Sequence, residues 1–228
     1  MERTNREKTQ EEALPMAPNN LRLAREPVPV LLNEDPRNFP PLREIFGNKN
    51  PVEIEIGCGK AKFLIARAIE RPEINFLAVD VVWKWMKYGV ERSTKREIAN
   101  IRFAKMDARQ LVRYGLAPES VSMFHIYFPD PWPKRRHRKR RLITGEFLGL
   151  LHTRLVPGGL IELATDHPDY SGQMSKAVLQ SGVDWRSVKT GTNKRLFGTG
   201  FKTNYEIKYE SDGRTLSYLE LQKRFRAR

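Results

Sequence analysis

Apolar and polar positions along the chain predict strands and helices in alternation. From Val52 onward, short runs rich in β-branched and aromatic residues are followed by amphipathic segments. Strands that alternate with helices are typical of an α/β fold with a mostly parallel sheet. The predicted strands are Val52–Ile56, Asn75–Asp80, Ile101–Lys105, 121–128 and 160–164. The predicted helices are 61–70, 82–96, 109–114, one capped by Thr144, and 168–181.

The pattern changes near the C terminus. Pro157-Gly158-Gly159 predicts a turn before the strand at 160–164. Beyond the last predicted helix, two β-rich runs at 205–210 and 215–222 are separated by Ser211-Asp212-Gly213-Arg214. Because Asp-Gly favours a tight antiparallel connection, we predict that the sheet ends in a β-hairpin. The first residues are charged and polar with scattered prolines, which predicts a mobile tail over 1–25 before a single domain over 26–228.

Positive charge dominates the composition. The 228 residues include 41 Lys and Arg against 27 Asp and Glu, for a net charge of +14. Half of this excess lies in the segment 134–141, so the charge forms both a local cluster and a general basic character. Such a balance indicates a polyanionic partner, since basic side chains displace the counterions condensed on nucleic acid. Surface lysines of a heat-adapted protein would also raise the count.

The number of cysteines, the spacing of the histidines and the length of the apolar runs exclude several classes of protein. A single cysteine, Cys58, excludes an internal disulfide framework and favours a reducing cytoplasm. No apolar run approaches the length of a membrane span, and the first residues lack the apolar segment of a signal peptide. We expect no membrane association. The four histidines, at 125, 137, 152 and 167, show no metal-ligand spacing, so we expect no catalytic metal.

A glycine-containing turn follows the first predicted strand. Glu55-Ile56-Gly57-Cys58-Gly59-Lys60 opens a helix at the edge where α/β sheets bind nucleotide-like ligands. Lys62 stands where a dinucleotide fingerprint needs glycine, so an adenosyl group without phosphates fits better than a nicotinamide dinucleotide. Asp80 and Asp107 end the next two strands, where they can reach ribose hydroxyls and an adenine edge. Helix capping is the alternative for each aspartate, and pairing with a lysine is the alternative for Glu55.

An acidic loop leads directly into the basic cluster. Phe128-Pro129-Asp130-Pro131-Trp132-Pro133-Lys134 contains three prolines, which restrict the backbone and predict a fixed, extended Asp130. The arginines and lysines that follow are suited to phosphates, although a solvated run of charge is the alternative. Trp132 is suited either to stacking on a base or to packing that pins the loop.

These motifs together resemble the bacterial tRNA (guanine-N7-)-methyltransferase family. The resemblance extends from Val52 to the C terminus, and its most specific segments are 128–134, Ala164-Thr165-Asp166 and Thr203-Asn204-Tyr205-Glu206. It implies a Rossmann-like class I methyltransferase fold, with a seven-stranded, mostly parallel sheet ending in the hairpin. The implied cofactor is S-adenosylmethionine, and the implied partner is tRNA.

The resemblance also implies roles for individual residues. Asp130 matches the catalytic position. The implied cofactor-binding residues are Glu55, Gly57, Gly59, Asp80, Asp107 and Asp130. The implied substrate-binding residues are Lys134, Asp166, Thr203, Asn204, Tyr205 and Glu206. Two positions depart from the family pattern, because Asp80 stands where Glu is frequent and Asn204 stands where a basic residue is more usual.

Three other interpretations remain at this stage. Asp130-Pro131-Trp132 is related to the Asp-Pro-Pro-aromatic loops of enzymes that methylate exocyclic amino groups of adenine or cytosine. An RNA-binding protein with an inactive cofactor pocket would also need a basic face. A nicotinamide oxidoreductase is compatible with the fold class alone, but Lys62 disagrees with it.

Overall fold

The computed structural model of the chain describes residues 30–31, 35–196 and 200–226. The tail predicted for 1–25 lies outside the described residues. Within them, eight strands form one sheet in the order β1-β4-β3-β2-β5-β6-β8-β7. These strands are β1 (Val30–Leu31), β2 (Val52–Ile56), β3 (Asn75–Asp80), β4 (Ile101–Lys105), β5 (Val121–Tyr127), β6 (Leu155–Thr165), β7 (Trp185–Thr192) and β8 (Ser217–Lys223). Neighbouring strands from β1 to β6 are parallel, and β8 is antiparallel to both β6 and β7.

The helices pack on both faces of this sheet. They are α1 (Leu42–Phe46), α2 (Lys62–Glu70), α3 (Trp83–Lys95), α4 (Ala108–Gln110), α5 (Gly145–Arg154), α6 (Pro168–Gln180) and α7 (Asn204–Ser211). A π-helical turn over Leu111–Gly115 continues α4, and two 3-10 helices cover Pro36–Asn38 and Arg135–Arg140. Thr144 caps α5 as predicted, since its side chain accepts a 3.1 Å hydrogen bond from the Phe147 amide. The predicted strands and helices from Val52 to 181 are thus confirmed, apart from the start of β6.

The core lies in two layers, one on each side of the sheet. Along β3, Phe76 and Ala78 belong to the buried cluster that includes residues of α2 and α3, whereas Leu77 and Val79 belong to the cluster that includes residues of α5 and α6. This alternation follows from the two-residue period of a strand, which sends successive side chains to opposite faces. Truncation of a fully buried ring such as Phe76 to alanine would cost about 3–5 kcal/mol.

The turn predicted at Pro157-Gly158-Gly159 is wrong, because β6 begins at Leu155 and continues through this segment. In the pairing with β5, Val121 is opposite Leu155 but Met123 is opposite Leu160. The additional residues of β6 are therefore accommodated as an irregularity within the strand. Gly158 has a φ of 80°, which explains why glycine is needed there.

The sheet ends in antiparallel strands as expected, but the predicted hairpin has the wrong first strand. The segment 205–210 belongs to helix α7, and β8 pairs with β7 instead. Gly213, with a φ of 67°, lies just beyond the end of α7. Asp-Gly therefore marks the end of a helix here, since a left-handed glycine serves helix ends as well as tight hairpins.

The connections after β2, β3, β4 and β5 meet at the carboxyl edge of the parallel strands, where open α/β sheets bind ligands. The glycine turn, Asp80, Asp107 and Asp130 all lie at this edge. None of the helices in the described ranges is both long enough and apolar enough to cross a membrane.

Candidate active site

A cleft opens at the carboxyl edge of β2. It is lined by Glu55, Gly57, Cys58, Gly59, Lys60, Lys62, Phe63, Tyr127, Thr203, Asn204 and Tyr205. The lining joins the glycine turn to the start of α7, which lies far along the chain. Six of the predicted site residues therefore meet in one cleft, whereas sequence reasoning missed Phe63 and Tyr127. Both missed residues are buried, and their type alone indicates only a core position.

The glycine turn keeps the floor of the cleft open. Gly57 and Gly59 have φ angles of 79° and 51°, and a Cβ added at either would meet no atom within 4 Å. The turn is fixed from below, because the Gly57 amide donates a 2.8 Å hydrogen bond to the Val79 carbonyl. These glycines thus supply both the left-handed backbone and the space for a ligand to approach it.

Glu55 is a buried carboxyl group that faces this space. Its Oε2 atom makes no hydrogen bond within the described part of the chain. Burial raises the pKa of Glu55 well above its usual value, although the positive charge of Arg195 acts in the opposite direction. Pairing with a lysine, the structural alternative for this residue, does not occur among the described residues. An unpartnered buried oxygen beside an open turn is a candidate ligand-binding group.

Asp80 and Asp107 each accept hydrogen bonds from backbone amides of the protein and can accept further ones from a ligand. The Asp80 carboxylate accepts one 2.8 Å bond from the Gly59 amide and another from the Val82 amide, one on each oxygen. Asp107 caps α4, and both of its bonds from backbone amides go to Oδ1. Because each carboxylate oxygen has two lone pairs, both residues retain acceptors for a ligand. The capping interpretation is therefore correct for Asp107 without excluding the predicted role.

The loop that carries Asp130 is strained on both sides of it. Phe128 and Trp132 have φ angles of 52° and 41°, a left-handed conformation that aromatic residues rarely adopt. Asp130 itself is exposed and forms no hydrogen bond with any other described residue. The Trp132 ring packs within its own segment, with the Arg140 guanidinium 4.9 Å from the ring centroid and the His137 ring at 5.8 Å. This packing favours a pinning role for Trp132 over base stacking.

The basic cluster forms the 3-10 helix Arg135–Arg140, directly after the Asp130 loop. Lys134 and the five arginine and lysine residues of this helix are all exposed. Arg141 differs from them, since its side chain is only 1% exposed. The positive surface beside Asp130 is thus made by six residues, not by all seven of the cluster.

The predicted substrate-binding residues divide into two groups. Asn204 and Tyr205 are exposed at the cleft, and the Tyr205 ring lies 6.1 Å from that of Phe128. Thr203 and Glu206 instead form a reciprocal capping box at the start of α7. Asp166 accepts a 2.7 Å hydrogen bond from Arg214, which leaves its side chain 15% exposed.

A buried polar network supports the cleft from below. Tyr127 donates a 2.6 Å hydrogen bond to Glu162 and accepts one of 3.0 Å from Arg195. The Arg195 guanidinium also covers the ring of Phe63 at 4.7 Å and binds the carboxylate of Glu206. Sequence reasoning missed this network because its members are far apart along the chain. The described residues contain no cluster of three or more His, Cys, Asp or Glu suited to a metal ion.

Comparison with known proteins identifies the relatives of this chain. Residues 49–219 match a family described as "Putative methyltransferase". A protein named tRNA (guanine-N(7)-)-methyltransferase from Streptomyces coelicolor is 45% identical over 70% of this chain, and one of that name from Geobacter metallireducens is 32% identical over 86%. The chain belongs to the tRNA (guanine-N(7)-)-methyltransferase family. The aligned region spans 59% of the Streptomyces protein and 93% of the Geobacter protein.

Solved structures of other methyltransferases share the fold of this family member. The 16S rRNA methyltransferase KamB superposes with a TM-score of 0.59, at 16% identity, over 80% of this chain and 92% of that one. A phosphoethanolamine N-methyltransferase of Haemonchus contortus, in complex with S-adenosylhomocysteine, gives a TM-score of 0.52 at 15% identity, over 79% of this chain and 51% of its own. The fold is thus that of class I methyltransferases, as predicted, although the described sheet has eight strands where seven were expected.

Proposed function

We propose that the protein transfers a methyl group from S-adenosylmethionine to N7 of a guanine in tRNA, in the variable loop, to form 7-methylguanosine. One juxtaposition carries the proposal: an open glycine turn with an unpartnered buried carboxyl lies at the same sheet edge as an exposed aspartate that leads into a basic helix. The names of the relatives and the single cysteine are consistent with a tRNA-modifying enzyme of the cytoplasm.

The residues of the cleft suit S-adenosylmethionine. The free Oε2 of Glu55 would accept a hydrogen bond from its ammonium group, and Gly57 and Gly59 leave room at the backbone. The remaining acceptors of Asp80 suit the ribose hydroxyls, and the free Oδ2 of Asp107 suits the adenine amino edge. When bound, the cofactor would supply a methyl group activated by a sulfonium.

The target nitrogen determines what the protein must do. Guanine N7 already carries an in-plane lone pair, so the site needs no base to remove a proton before attack. It must instead orient the purine and stabilise the positive charge that develops on it. The exposed Asp130 carboxylate can accept hydrogen bonds from guanine N1 and the 2-amino group, and its negative charge favours the cationic product. We assign Asp130 these two roles.

The surface around Asp130 suits the rest of the tRNA. Lys134 and the 3-10 helix place six exposed cations next to the catalytic loop, where phosphates on either side of the target would bind. Asn204 and Tyr205 lie at the other side of the cleft and suit contacts with the target nucleotide. We propose that Thr203, Glu206 and Asp166 contribute mainly by holding this rim in place, because their side chains are engaged with other residues.

The deciding experiment is incubation with methyl-labelled S-adenosylmethionine and unmodified tRNA transcripts, followed by mass spectrometry of the nucleosides. We expect 7-methylguanosine. Methylated adenine or cytosine would instead support an amino-methyltransferase, and cofactor binding without any product would support an RNA-binding protein.

Asp130→Asn should retain tRNA and cofactor affinity and lose most turnover, whereas Asp184→Asn, at an exposed surface pair, should leave turnover unchanged. Full turnover by Asp130→Asn contradicts the role of this residue.

A further inference from the structure

Arg141 ends the basic cluster but does not share its environment. Its side chain is 1% exposed, whereas the arginines and lysines of the adjoining 3-10 helix are exposed. It is also the largest fully buried side chain in the described part of the protein. A buried guanidinium needs partners for its donors, because an unpaired charge removed from water is strongly destabilising.

Those partners connect the Asp130 loop to helix α6. Arg141 Nε donates a 2.7 Å hydrogen bond to the carbonyl of Pro131, and Nη1 donates one of 2.5 Å to Gln173. Nη2 donates a 2.5 Å bond to Asp169, and the guanidinium lies 4.7 Å from the centroid of the Tyr170 ring. The two other acceptor residues, Asp169 and Gln173, and the stacked Tyr170 all belong to α6, so the planar guanidinium joins the loop to a rigid element.

The bond to Pro131 acts on the backbone immediately after Asp130. The Pro131 carbonyl belongs to the peptide unit that precedes Trp132, whose φ of 41° is strained. A non-glycine residue in such a conformation is strained and persists only where its surroundings hold it. The Arg141 hydrogen bond fixes the orientation of this peptide unit. It thereby limits the directions in which the Asp130 carboxylate can point.

We propose that Arg141 is a positioning residue, which holds the Asp130 loop in its catalytic geometry and does not bind RNA phosphate. This inference rests on the function proposed above. Catalytic geometry is sensitive to small displacements, since misplacement of a reacting group by about 1 Å can lower a rate about 100-fold. Loss of Arg141 should thus reduce the methyl-transfer step while leaving the exposed cations to bind tRNA.

The test compares Arg141→Met and Arg141→Lys with Arg135→Met, an exposed arginine in the same cluster. Single-turnover rates are measured at saturating tRNA and S-adenosylmethionine, together with tRNA affinity over a range of salt concentrations. Arg141→Met should lower the saturated rate about 100-fold and keep the tRNA affinity and its salt dependence. Arg141→Lys retains the charge but not the planar set of donors, so its saturated rate should lie between those of the wild-type protein and Arg141→Met. Arg135→Met should weaken tRNA binding and reduce its salt dependence, which Arg141→Met should not do.

The opposite pattern overturns the proposal: weaker, less salt-dependent tRNA binding by Arg141→Met with an intact saturated rate would make Arg141 a phosphate ligand. Wild-type values of both the saturated rate and the tRNA affinity in Arg141→Met would also overturn the proposal. Should Arg141→Met fail to fold, Gln173→Met removes one acceptor and must lower the saturated rate with tRNA affinity preserved. Methylation of tRNA by the wild-type protein is measured before the variants are compared. Its absence would contradict the proposed function itself.

Discussion

Arg195 and Glu206 form a buried ion pair that fastens the start of α7 to the sheet. Nε of Arg195 donates a 3.2 Å hydrogen bond to Oε1 of Glu206, and Nη2 binds the other oxygen. The two side chains are 8% and 2% exposed. Because the residues at the start of α7 line the cleft, this pair links the stability of the protein to the shape of its candidate cofactor site.

Removal of one member of this pair should be strongly destabilising. We expect Arg195→Met to lower the free energy of unfolding by about 3–5 kcal/mol, because it leaves a buried carboxylate without its partner. It should also weaken S-adenosylmethionine binding. Urea denaturation and calorimetric titration measure the two effects. The control is Lys202→Met, which breaks an exposed pair with Glu210 and should cost about 0–1 kcal/mol. Equal losses from both variants would contradict this account.

The same pair predicts a dependence of stability on pH. Burial alone would raise the pKa of Glu206, but the hydrogen bonds and charge of Arg195, together with the bonds from Thr203 and Tyr218, outweigh burial and lower the pKa below 4.5. The contribution of Glu206 to stability is therefore present above pH 4.5 and lost as the pH falls through the lowered folded-state pKa. In Glu206→Gln, unfolding monitored by circular dichroism should lose this component of the acid transition. An unchanged acid transition would show that Glu206 is not coupled to folding.

The exposed cations beside Asp130 should determine how salt affects tRNA binding. Each phosphate contact that is lost reduces the slope of log affinity against log salt by about 0.7–0.9. We expect Arg135→Ala combined with Arg136→Ala to reduce that slope by up to about 2 and to leave S-adenosylmethionine affinity unchanged. The control combines Lys49→Ala with Arg71→Ala, at the opposite edge of the sheet, and should keep the wild-type slope. Titration of fluorescent tRNA at several salt concentrations distinguishes them.

Tyr205 is a better candidate than Trp132 for stacking on the target base. It is 53% exposed at the cleft, and its ring lies near those of Phe128 and Tyr209. Stacking contributes about 1–3 kcal/mol per base, so Tyr205→Ala should raise the KM for tRNA accordingly, while Tyr205→Phe should retain most activity. Tyr114, which is also 53% exposed but does not line the cleft, provides the matched control as Tyr114→Ala. Steady-state kinetics measure each KM, and parallel effects of the two alanine variants would exclude stacking by Tyr205.

The parallel part of the fold could be predicted because strand and helix periods there agree with the turn signals. The error at α7 shows the limit of that reasoning. In its sequence, Tyr205, Ile207 and Tyr209 alternate with polar residues and thus resemble a strand. The Thr203 and Glu206 capping box, three residues apart, was the signal for a helix, and it outweighs the alternation in the structure.

The candidate site could be predicted only where a residue suited to ligand binding lies at the end of a strand. Glu55, Asp80 and Asp107 each lie where a parallel strand ends, so their proximity follows from topology. Arg195 and Arg141 could not be identified in this way. Neither pattern nor residue type distinguishes a buried arginine from an exposed one, and only the tertiary structure shows that one fastens α7 and the other the Asp130 loop.

Glu55 should couple cofactor binding to release of a proton. Burial raises its folded-state pKa above 4.5, so the contribution of its neutral form to stability is present below pH 4.5 and lost as the pH rises through the raised value. An ammonium group bound at Oε2 favours the carboxylate, and S-adenosylmethionine affinity should therefore increase with pH across that window.

Calorimetric titration in two buffers with different ionisation enthalpies measures the number of protons released when S-adenosylmethionine binds. We expect release of up to one proton by the wild-type protein and none from this group in Glu55→Gln, which should also bind more weakly. In the absence of ligand, Glu55→Gln should be more stable than wild type at pH 8, since it removes a carboxyl whose ionisation is opposed by burial. Glu53→Gln, two residues earlier on β2, should have the opposite effect because Glu53 pairs with the buried Arg67. Proton release that persists in Glu55→Gln would assign the linkage to another group.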